Sequence, residues 1–226
     1  MNFDGVDDYV DIEDDITLEP QNLTVSAWVY RESTFSQHVI LQKGSTHSHD
    51  DRNGYLFKIF DSSSSYPNSA SLCVTINNGC NAYPISNTEI QAGIWYHIAA
   101  TYDGSSARIY VNGVEDGTDT SVTGSVDYSG GYQNFKIGAQ EEGHGLLLGH
   151  FGGTIDEVAI YDRALFDDEI HQQYQNALSG HSDYHLLPDS PCINAGDPDY
   201  LAHSGETDLD GKPRVIGGRI DMGAYE

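Results

Sequence analysis

The fold is decided by residues 151–165, which read FGGTIDEVAIYDRAL. Polar and apolar side chains alternate over residues 154–161, which is the period of a half-buried β-strand. A short amphipathic helix is expected over about residues 167–177, because acidic residues fill its first turn and complement the helix dipole. Asp156 falls within the strand, and a buried carboxylate without a partner is costly, so a calcium ion is the expected partner.

Short strand patterns recur along the chain, with turn residues between them. Repeated short strands of this kind indicate an antiparallel sandwich. Trp28 and Trp95 lie within two of these strands and are expected to pack in the core. The strands are expected at residues 7–12, 23–30, 38–42, 54–60, 72–76, 80–85, 95–102, 107–112, 135–138 and 154–161.

Four motifs resemble, in the same order, those of the laminin-G-like, concanavalin A-like family. They are FDGVDDYV at residues 3–10, LTVSAWV at 23–29, WYHIAATYDG followed by IYVNG at 95–113, and the stretch 151–165. The resemblance implies an all-β antiparallel jelly-roll β-sandwich over residues 1–179, with one short helix. This fold hosts lectins, binding modules, adhesins and some hydrolases, so the fold by itself does not imply a function.

The composition changes after Ser179, where proline and glycine become frequent. Residues 187–196, 207–214 and 221–226 resemble the end segment of bacterial surface proteins built on a β-helix. Residues 180–226 are therefore expected to form an irregular, turn-rich C-terminal appendage packed on the sandwich. The same resemblance favours a secreted or cell-surface protein.

The chain is strongly acidic, with 35 Asp and Glu against 10 Lys and Arg and a formal charge of -25. Nucleic acids and anionic membranes need positive charge on their partners, so both are excluded as expected ligands. No run of apolar residues is long enough to insert in a membrane. Residues 1–4 do not resemble a signal peptide, and we expect a piece of an extracellular or cell-surface protein.

A structural calcium site is expected at the two ends of the sandwich sequence. The first and last strands of a jelly roll are neighbours, so Asp4 and Asp156 are expected to meet across the sheet. Calcium prefers oxygen ligands, and similar domains often carry calcium near these ends. The alternative is that Asp4 caps a turn before Gly5 and that Asp156 pairs with Arg163.

Glycan binding is expected at aromatic residues in loops. Aromatic rings stack on the apolar faces of sugars, and planar polar side chains bind the hydroxyl groups. The candidate ligand-binding residues are Arg52, Tyr66, Asn81, Tyr83, Tyr128, Tyr132 and Gln133.

Catalysis finds little support in the sequence. Glucanases of this fold carry a strand resembling Glu-x-Asp-x-x-Glu, in which alternate carboxylates flank the scissile bond. Here the outer positions around Asp156 are Thr154 and Ala159. We therefore expect no enzymatic activity.

The cysteines leave a disulfide open. Cys73 and Cys80 flank a predicted hairpin, and a one-residue change of register would point one of them to the other face. Cys192 is expected to be a small buried side chain.

Together these features predict a non-catalytic, lectin-like carbohydrate-binding module that binds a polysaccharide and is stabilised by calcium. The alternative is a structural or adhesive subunit of an extracellular assembly, which contacts other protein chains.

Overall fold

The computed structural model describes residues 1–178, apart from residues 34–37, 46–52, 77–78, 122, 130–133 and 143–144 and the side chains of Cys80 and Asn81. The chain divides into two compact units, Met1–Tyr174 and Gln175–Glu226. The expected appendage at residues 180–226 lies outside the described residues, and its packing on the sandwich stays a prediction.

Strands dominate the first unit. A 3-10 helix covers Ile16–Leu18, and the α-helix α1 covers Asp167–Leu178. No helix of the described residues has both the length and the apolar character needed to cross a membrane. The strands are β1 (Asn2–Asp4), β2 (Val10–Ile12), β3 (Leu23–Arg31), β4 (His38–Lys43), β5 (Tyr55–Ile59), β6 (Ser69–Ile76), β7 (Gly79–Ala82), β8 (Ile85–Glu89), β9 (Trp95–Tyr102), β10 (Ala107–Val111), β11 (Val114–Asp119), β12 (Phe135–Ile137), β13 (Gln140–Glu141), β14 (Leu147–Leu148) and β15 (Gly152–Tyr161).

The strands form two main antiparallel sheets. The six-stranded sheet has the order β1-β15-β3-β9-β10-β11, and the seven-stranded sheet has the order β2-β12-β4-β5-β6-β7 with β8 paired to β6. In the first sheet Asn2 lies opposite Thr154, so the first and last strands are neighbours as expected. This arrangement confirms the predicted antiparallel jelly-roll sandwich.

The core lies between the two sheets and follows from the strand period. Val25, Ala27 and Val29 of β3 are fully buried in it, and Tyr55 and Phe57 of β5 face them from the other sheet. Successive side chains of a strand point to opposite faces, so one apolar row per strand is enough to build this layer. Burial of these rows is the main favourable term in folding.

The helix α1 begins on the outward face of the six-stranded sheet. Ile170 is buried, and the ring of Tyr174 stacks on Trp28 with centroids 5.8 Å apart. His97 lies beside Trp28 at 5.5 Å, and burial lowers the pKa of His97 to about 4. Trp28 therefore packs against the folded chain as predicted, but it is half-buried on the outward face of the sheet, so its predicted place in the core was wrong.

Trp95 does not pack in the core, and that prediction was wrong. Its side chain is 43% exposed and contacts Tyr30 with ring centroids 5.6 Å apart. The neighbouring residues Tyr96 and Ile98 belong to the core cluster, so the strand period turns Trp95 outward.

Candidate functional site: an aromatic platform on the seven-stranded sheet

Three aromatic side chains meet at the end of β5, and we call Phe60, Tyr66 and Tyr83 the aromatic platform. The Phe60 ring lies 5.8 Å from the Tyr66 ring and 6.0 Å from the Tyr83 ring. Tyr66 is 49% exposed, whereas Phe60 and Tyr83 are half-buried. Tyr66 thus presents its ring to solvent and packs on Phe60, which in turn packs on Tyr83.

A lysine lies beneath the platform. The ammonium Nζ of Lys58 lies 4.8 Å from the centroid of Phe60 and 6.0 Å from that of Tyr83. A cation at this distance from an aromatic face is attracted by the ring quadrupole. Burial lowers the pKa of Lys58, which is 7% exposed. The lysine therefore lies close to both Phe60 and Tyr83 and adds an attraction that favours their arrangement.

The loop that carries Tyr66 is held by its own side chains. Asp61 accepts hydrogen bonds from the backbone and side chain of Ser63, and the hydroxyl of Ser64 accepts one from the backbone N–H of Tyr66 at 2.8 Å. The hydrogen bonds from Ser63 hold the pKa of Asp61 below its ordinary value. The loop therefore presents an ionised acceptor on the same turn as the exposed ring.

Arg31 connects this loop to the other sheet. Its guanidinium is fully buried and donates to the carbonyls of Ser33 and Ile90 and to the side-chain oxygen of Asn68, the last at 3.3 Å. Burial lowers the pKa of Arg31 to about 10. A buried charge needs partners of this kind, and the contact with Asn68 fixes where the loop enters β6.

Tyr83 is held through both its backbone and its ring. Its backbone N–H donates to a carboxylate oxygen of Asp119 at 2.8 Å, and its ring packs against Val39, Leu56 and Cys73 on the outward face of the seven-stranded sheet. Burial raises the pKa of Tyr83 to about 12. The phenol consequently stays neutral at physiological pH and serves as a hydrogen-bonding group.

Cys73, which supports Tyr83, is disulfide-bonded. The side chains of both candidate partners, Cys80 and Cys192, lie outside the described residues. The pairing of Cys73 with Cys80 therefore stays a prediction.

The structure brings together two of the predicted glycan-binding residues, Tyr66 and Tyr83, through Phe60. Tyr128 is not at such a site, because its hydroxyl donates to the Pro20 carbonyl at 2.7 Å and its ring packs against the core beside Tyr55. The remaining candidates lie outside the described residues and stay predictions: Arg52, Tyr132, Gln133 and the side chain of Asn81.

Sequence reasoning missed Phe60 and Lys58, although the strand period contained the signal. Tyr55, Phe57 and Ile59 point into the core, so Lys58 must point outward. Phe60 directly follows Ile59 and leaves the strand on that same outer side. The sequence did not indicate which strands pair with one another, and that pairing places Tyr83 beside Phe60.

The two carboxylates expected to bind calcium do not meet. Asp4 lies opposite Gly152 in the register of β1 and β15, whereas the first residue, Met1, already reaches the Ile155 carbonyl at 2.8 Å. Asp156 pairs with Trp28 of β3 and is exposed. The expectation that Asp4 and Asp156 converge was therefore wrong, because the register separates them along the strand.

Asp156 also lacks the buried environment that its strand position suggested. The register of β15 with β3 shifts between Asp156 and Ala159, and Glu157 has a φ of 47°. Such a bulge turns the strand locally and leaves the carboxylate in solvent. The alternative partner Arg163 forms a bidentate pair with Glu169, at 2.6 and 2.7 Å.

A different group of carboxylates does come together near the chain start. Asp4, Asp7 and Asp8, the carboxylate cluster, offer oxygens that all lie within 4.8 Å of one another, and all three side chains are exposed. Asp4 accepts hydrogen bonds from the backbone of Val6 at 2.8 Å and of Asp7 at 3.3 Å, which lower its pKa. This confirms the turn-capping role that was the alternative for Asp4.

The family follows from the sequence as well as from the fold. A profile of the concanavalin A-like lectin/glucanases superfamily, of the laminin G type, matches residues 4–171. The chain belongs to this superfamily. The match includes residues 151–165, the stretch from which the fold was predicted.

Solved structures of the superfamily fold resemble this chain at low sequence identity. A heptameric SAP-like pentraxin from Limulus polyphemus is 18% identical with a TM-score of 0.55, covering 75% of this chain and 78% of the pentraxin. Domain 4 of AbnA, an extracellular arabinanase from Geobacillus stearothermophilus solved with arabinotriose, is 21% identical with a TM-score of 0.51, covering 70% of this chain and 68% of that one. The CBM40 of a Ruminococcus gnavus sialidase, bound to α2,3 sialyllactose, is 15% identical with a TM-score of 0.56, covering 70% and 85%.

A curated relative matches a shorter part of the chain. The human adhesion G-protein coupled receptor D1 is 30% identical over 89 residues, which are 39% of this chain. The match spans only 10% of the receptor's length.

Proposed function

We propose that this chain is a non-catalytic carbohydrate-binding module whose ligand stacks on the aromatic platform. The observation that carries the proposal is Tyr66, a half-exposed ring backed by Phe60 and Tyr83 and held by a hydrogen-bonded loop. Rings that are fixed before the ligand arrives lose little conformational entropy on binding. Carboxylates and phenols nearby supply acceptors and donors for sugar hydroxyl groups.

Solved structures of the same fold support a carbohydrate as the ligand. Structures with the same fold include an arabinanase domain in complex with arabinotriose and a sialidase module bound to sialyllactose. For the present chain, the formal charge of -25 is an argument for a neutral ligand. A charge of this size repels acidic polysaccharides, so we propose a neutral glycan.

The absence of catalysis is part of the same proposal. The glucanase-like pattern would need carboxylates at the positions of Thr154 and Ala159. The bulge at Glu157, with its positive φ, breaks the alternation that puts such carboxylates on one face. A binding role uses the platform without any acid–base pair.

Replacing Tyr66 by alanine is expected to weaken binding to neutral oligosaccharides about tenfold, because a stacking contact contributes about 1–1.5 kcal/mol. The change should leave the melting temperature nearly unaltered, since the side chain is half-exposed. Affinity electrophoresis in gels containing neutral polysaccharides, followed by titration calorimetry, measures the effect.

Tyr9→Ala is the matched control, since Tyr9 is 42% exposed and precedes β2 at the opposite edge of the sheet. Equal affinity of the Tyr66→Ala and Tyr9→Ala variants would contradict the proposal. Concentration-dependent assembly in sedimentation velocity, with no glycan retention, would instead support the structural or adhesive subunit.

We further propose that the carboxylate cluster binds a structural calcium ion. Ionised carboxylates are the hard oxygen donors that calcium prefers, and Asp4, Asp7 and Asp8 supply three of them within 4.8 Å. Backbone carbonyls and water commonly complete such a site. The ion would neutralise part of the repulsion among these side chains and would contribute stability rather than chemistry.

Calcium is expected to raise the melting temperature, with about 2.7 kcal/mol of stabilisation when the ion is present at 100 times its Kd. Chelator should reverse the shift. The Asp7→Asn variant should lose most of this response, while Glu13→Gln, which removes the same charge nearby, should keep it. Scanning calorimetry with and without calcium tests the proposal, and identical melts of the unsubstituted chain would refute it.

The proposed setting is extracellular or on a cell surface. Cys73 is disulfide-bonded, and structural disulfides persist mainly in oxidising compartments. The superfamily membership is consistent with that setting.

A further inference from the structure

A second concave surface lies on the opposite side of the sandwich from the aromatic platform. It is an open cleft of about 890 Å³ whose lining includes Asp103, Arg108, Glu115, Leu165, Phe166 and Asp168. Ligand pockets for small molecules commonly have volumes of about 300–1,000 Å³. Ala107 and Ile109 belong to the core, so Arg108 between them points to the outward face of the six-stranded sheet.

The guanidinium of Arg108 lies between two carboxylates. Its nitrogens are 3.5 Å from Asp103 and 3.6 Å from Glu115, and the side chain is 34% exposed. Both distances exceed the usual length of an N–H···O hydrogen bond, about 2.7–3.2 Å. The guanidinium is therefore attracted to both carboxylates without a short hydrogen bond to either, and the three planar groups offer donors and acceptors to a ligand.

Asp103 is fixed by the turn between β9 and β10. One carboxylate oxygen accepts hydrogen bonds from the backbone of Ser105 at 2.9 Å and of Ser106 at 2.7 Å. The other oxygen is the one that faces Arg108. The orientation of the acceptor is thus set before any ligand binds.

Phe166 stands at the cleft with 72% of its surface exposed, while its neighbour Leu165 is buried. Its backbone N–H donates to Glu169 at 2.8 Å, and its carbonyl accepts the first hydrogen bond of α1, from Ile170 at 3.1 Å. Arg163 holds Glu169 in a bidentate pair. These hydrogen bonds fix the backbone of Phe166 while its apolar ring lies in solvent. An exposed ring forgoes the free energy that burial would supply, and a ligand that covers it would recover that free energy.

We propose that this cleft is a second saccharide-binding site, in which a neutral sugar stacks on Phe166 and its hydroxyl groups bind Arg108, Asp103 and Glu115. A sugar hydroxyl both donates and accepts hydrogen bonds, and the guanidinium and the carboxylates supply both kinds of partner. The excess of carboxylates over the one guanidinium disfavours acidic sugars. The proposal shares only its ligand class with the proposed function, because the two sites have no residue in common.

Titration calorimetry with a neutral oligosaccharide, selected on an array of such oligosaccharides, tests the cleft. The unsubstituted chain is expected to bind two molecules per chain. Phe166→Ala should weaken one of these sites about tenfold, and Arg108→Gln should weaken the same site, while Tyr66→Ala weakens the other. Ile16→Ala is the matched control, because Ile16 is 78% exposed and lies outside both sites.

The outcomes separate the two proposals. Binding that Tyr66→Ala weakens and Phe166→Ala leaves unchanged overturns the cleft alone. Binding that only Phe166→Ala weakens supports the cleft and overturns the platform, and an unsubstituted chain that binds none of the array overturns both. Phe166-dependent binding of oligolysine, with no Phe166-dependent binding of saccharide, would overturn the cleft as a saccharide site.

Discussion

Replacement of Gly153 by alanine is expected to destabilise the sandwich by about 3–5 kcal/mol. Gly153 lies in β15, between β1 and β3, with a φ of 135°. A Cβ at this position would lie 2.0 Å from the backbone oxygen of Tyr30, which cannot move without separating β15 from β3. Urea unfolding followed by circular dichroism measures the loss of free energy.

Gly93→Ala is the matched control for that experiment. Gly93 also has a positive φ, 80°, but a Cβ there would meet nothing within 4 Å. The control should therefore show only the conformational cost of the left-handed region, about 1–2 kcal/mol. Equal losses for the two variants would mean that the close approach of the strands at Gly153 has no energetic consequence.

Replacement of Arg31 by methionine is expected to cost about 3 kcal/mol of stability, because it leaves the acceptors of Ser33, Ile90 and Asn68 without their charged donor. Methionine keeps most of the buried volume, so the loss reports mainly on the hydrogen bonds. The loop over residues 61–68 should also exchange its amide hydrogens faster, and glycan affinity should fall because Tyr66 is on this loop.

Arg163→Met serves as the comparison, since Arg163 is half-exposed and pairs with Glu169 near the surface. Exposed ion pairs contribute little to stability, so its loss should be much smaller than that of the Arg31 variant. Similar unfolding curves for the two variants would contradict the importance of the buried guanidinium. Unchanged glycan affinity in the Arg31 variant would contradict its role in positioning the platform.

The sequence predicted best those strands whose apolar pattern is visible within a few consecutive residues. Residues 23–30, 95–102 and 154–161 correspond to β3, β9 and β15, and each of these strands turns one row of apolar side chains to the core. The helix was predicted over 167–177 and covers Asp167–Leu178 for the same reason, an acidic first turn followed by an apolar face. Such signals are complete within about ten residues of chain.

The candidate site was predicted only in part, because its members belong to different strands. Tyr66 and Tyr83 were named as exposed loop aromatics, but their contact requires the pairing of β5, β6 and β8 and the outward turn of Phe60. Tyr128 had the same sequence signal as these two, yet its ring packs on the core. Trp95 was assigned to the wrong face for a related reason. The strand that contains it was recognised, but which of its alternate residues face the core was not.

The amino-acid sequence by itself determined the antiparallel sandwich, the position of its helix and a formal charge of -25, because composition and strand period can be read without the tertiary structure. Only the tertiary structure decided that Asp4 joins Asp7 and Asp8 and lies away from Asp156. It also decided that Tyr66 and Tyr83 share one platform. The physical reason is that hydrogen bonds between strands and the packing of both sheets fix the register of each strand. A strand rises 3.2–3.4 Å per residue, so a register shift of three residues moves a side chain by about 10 Å.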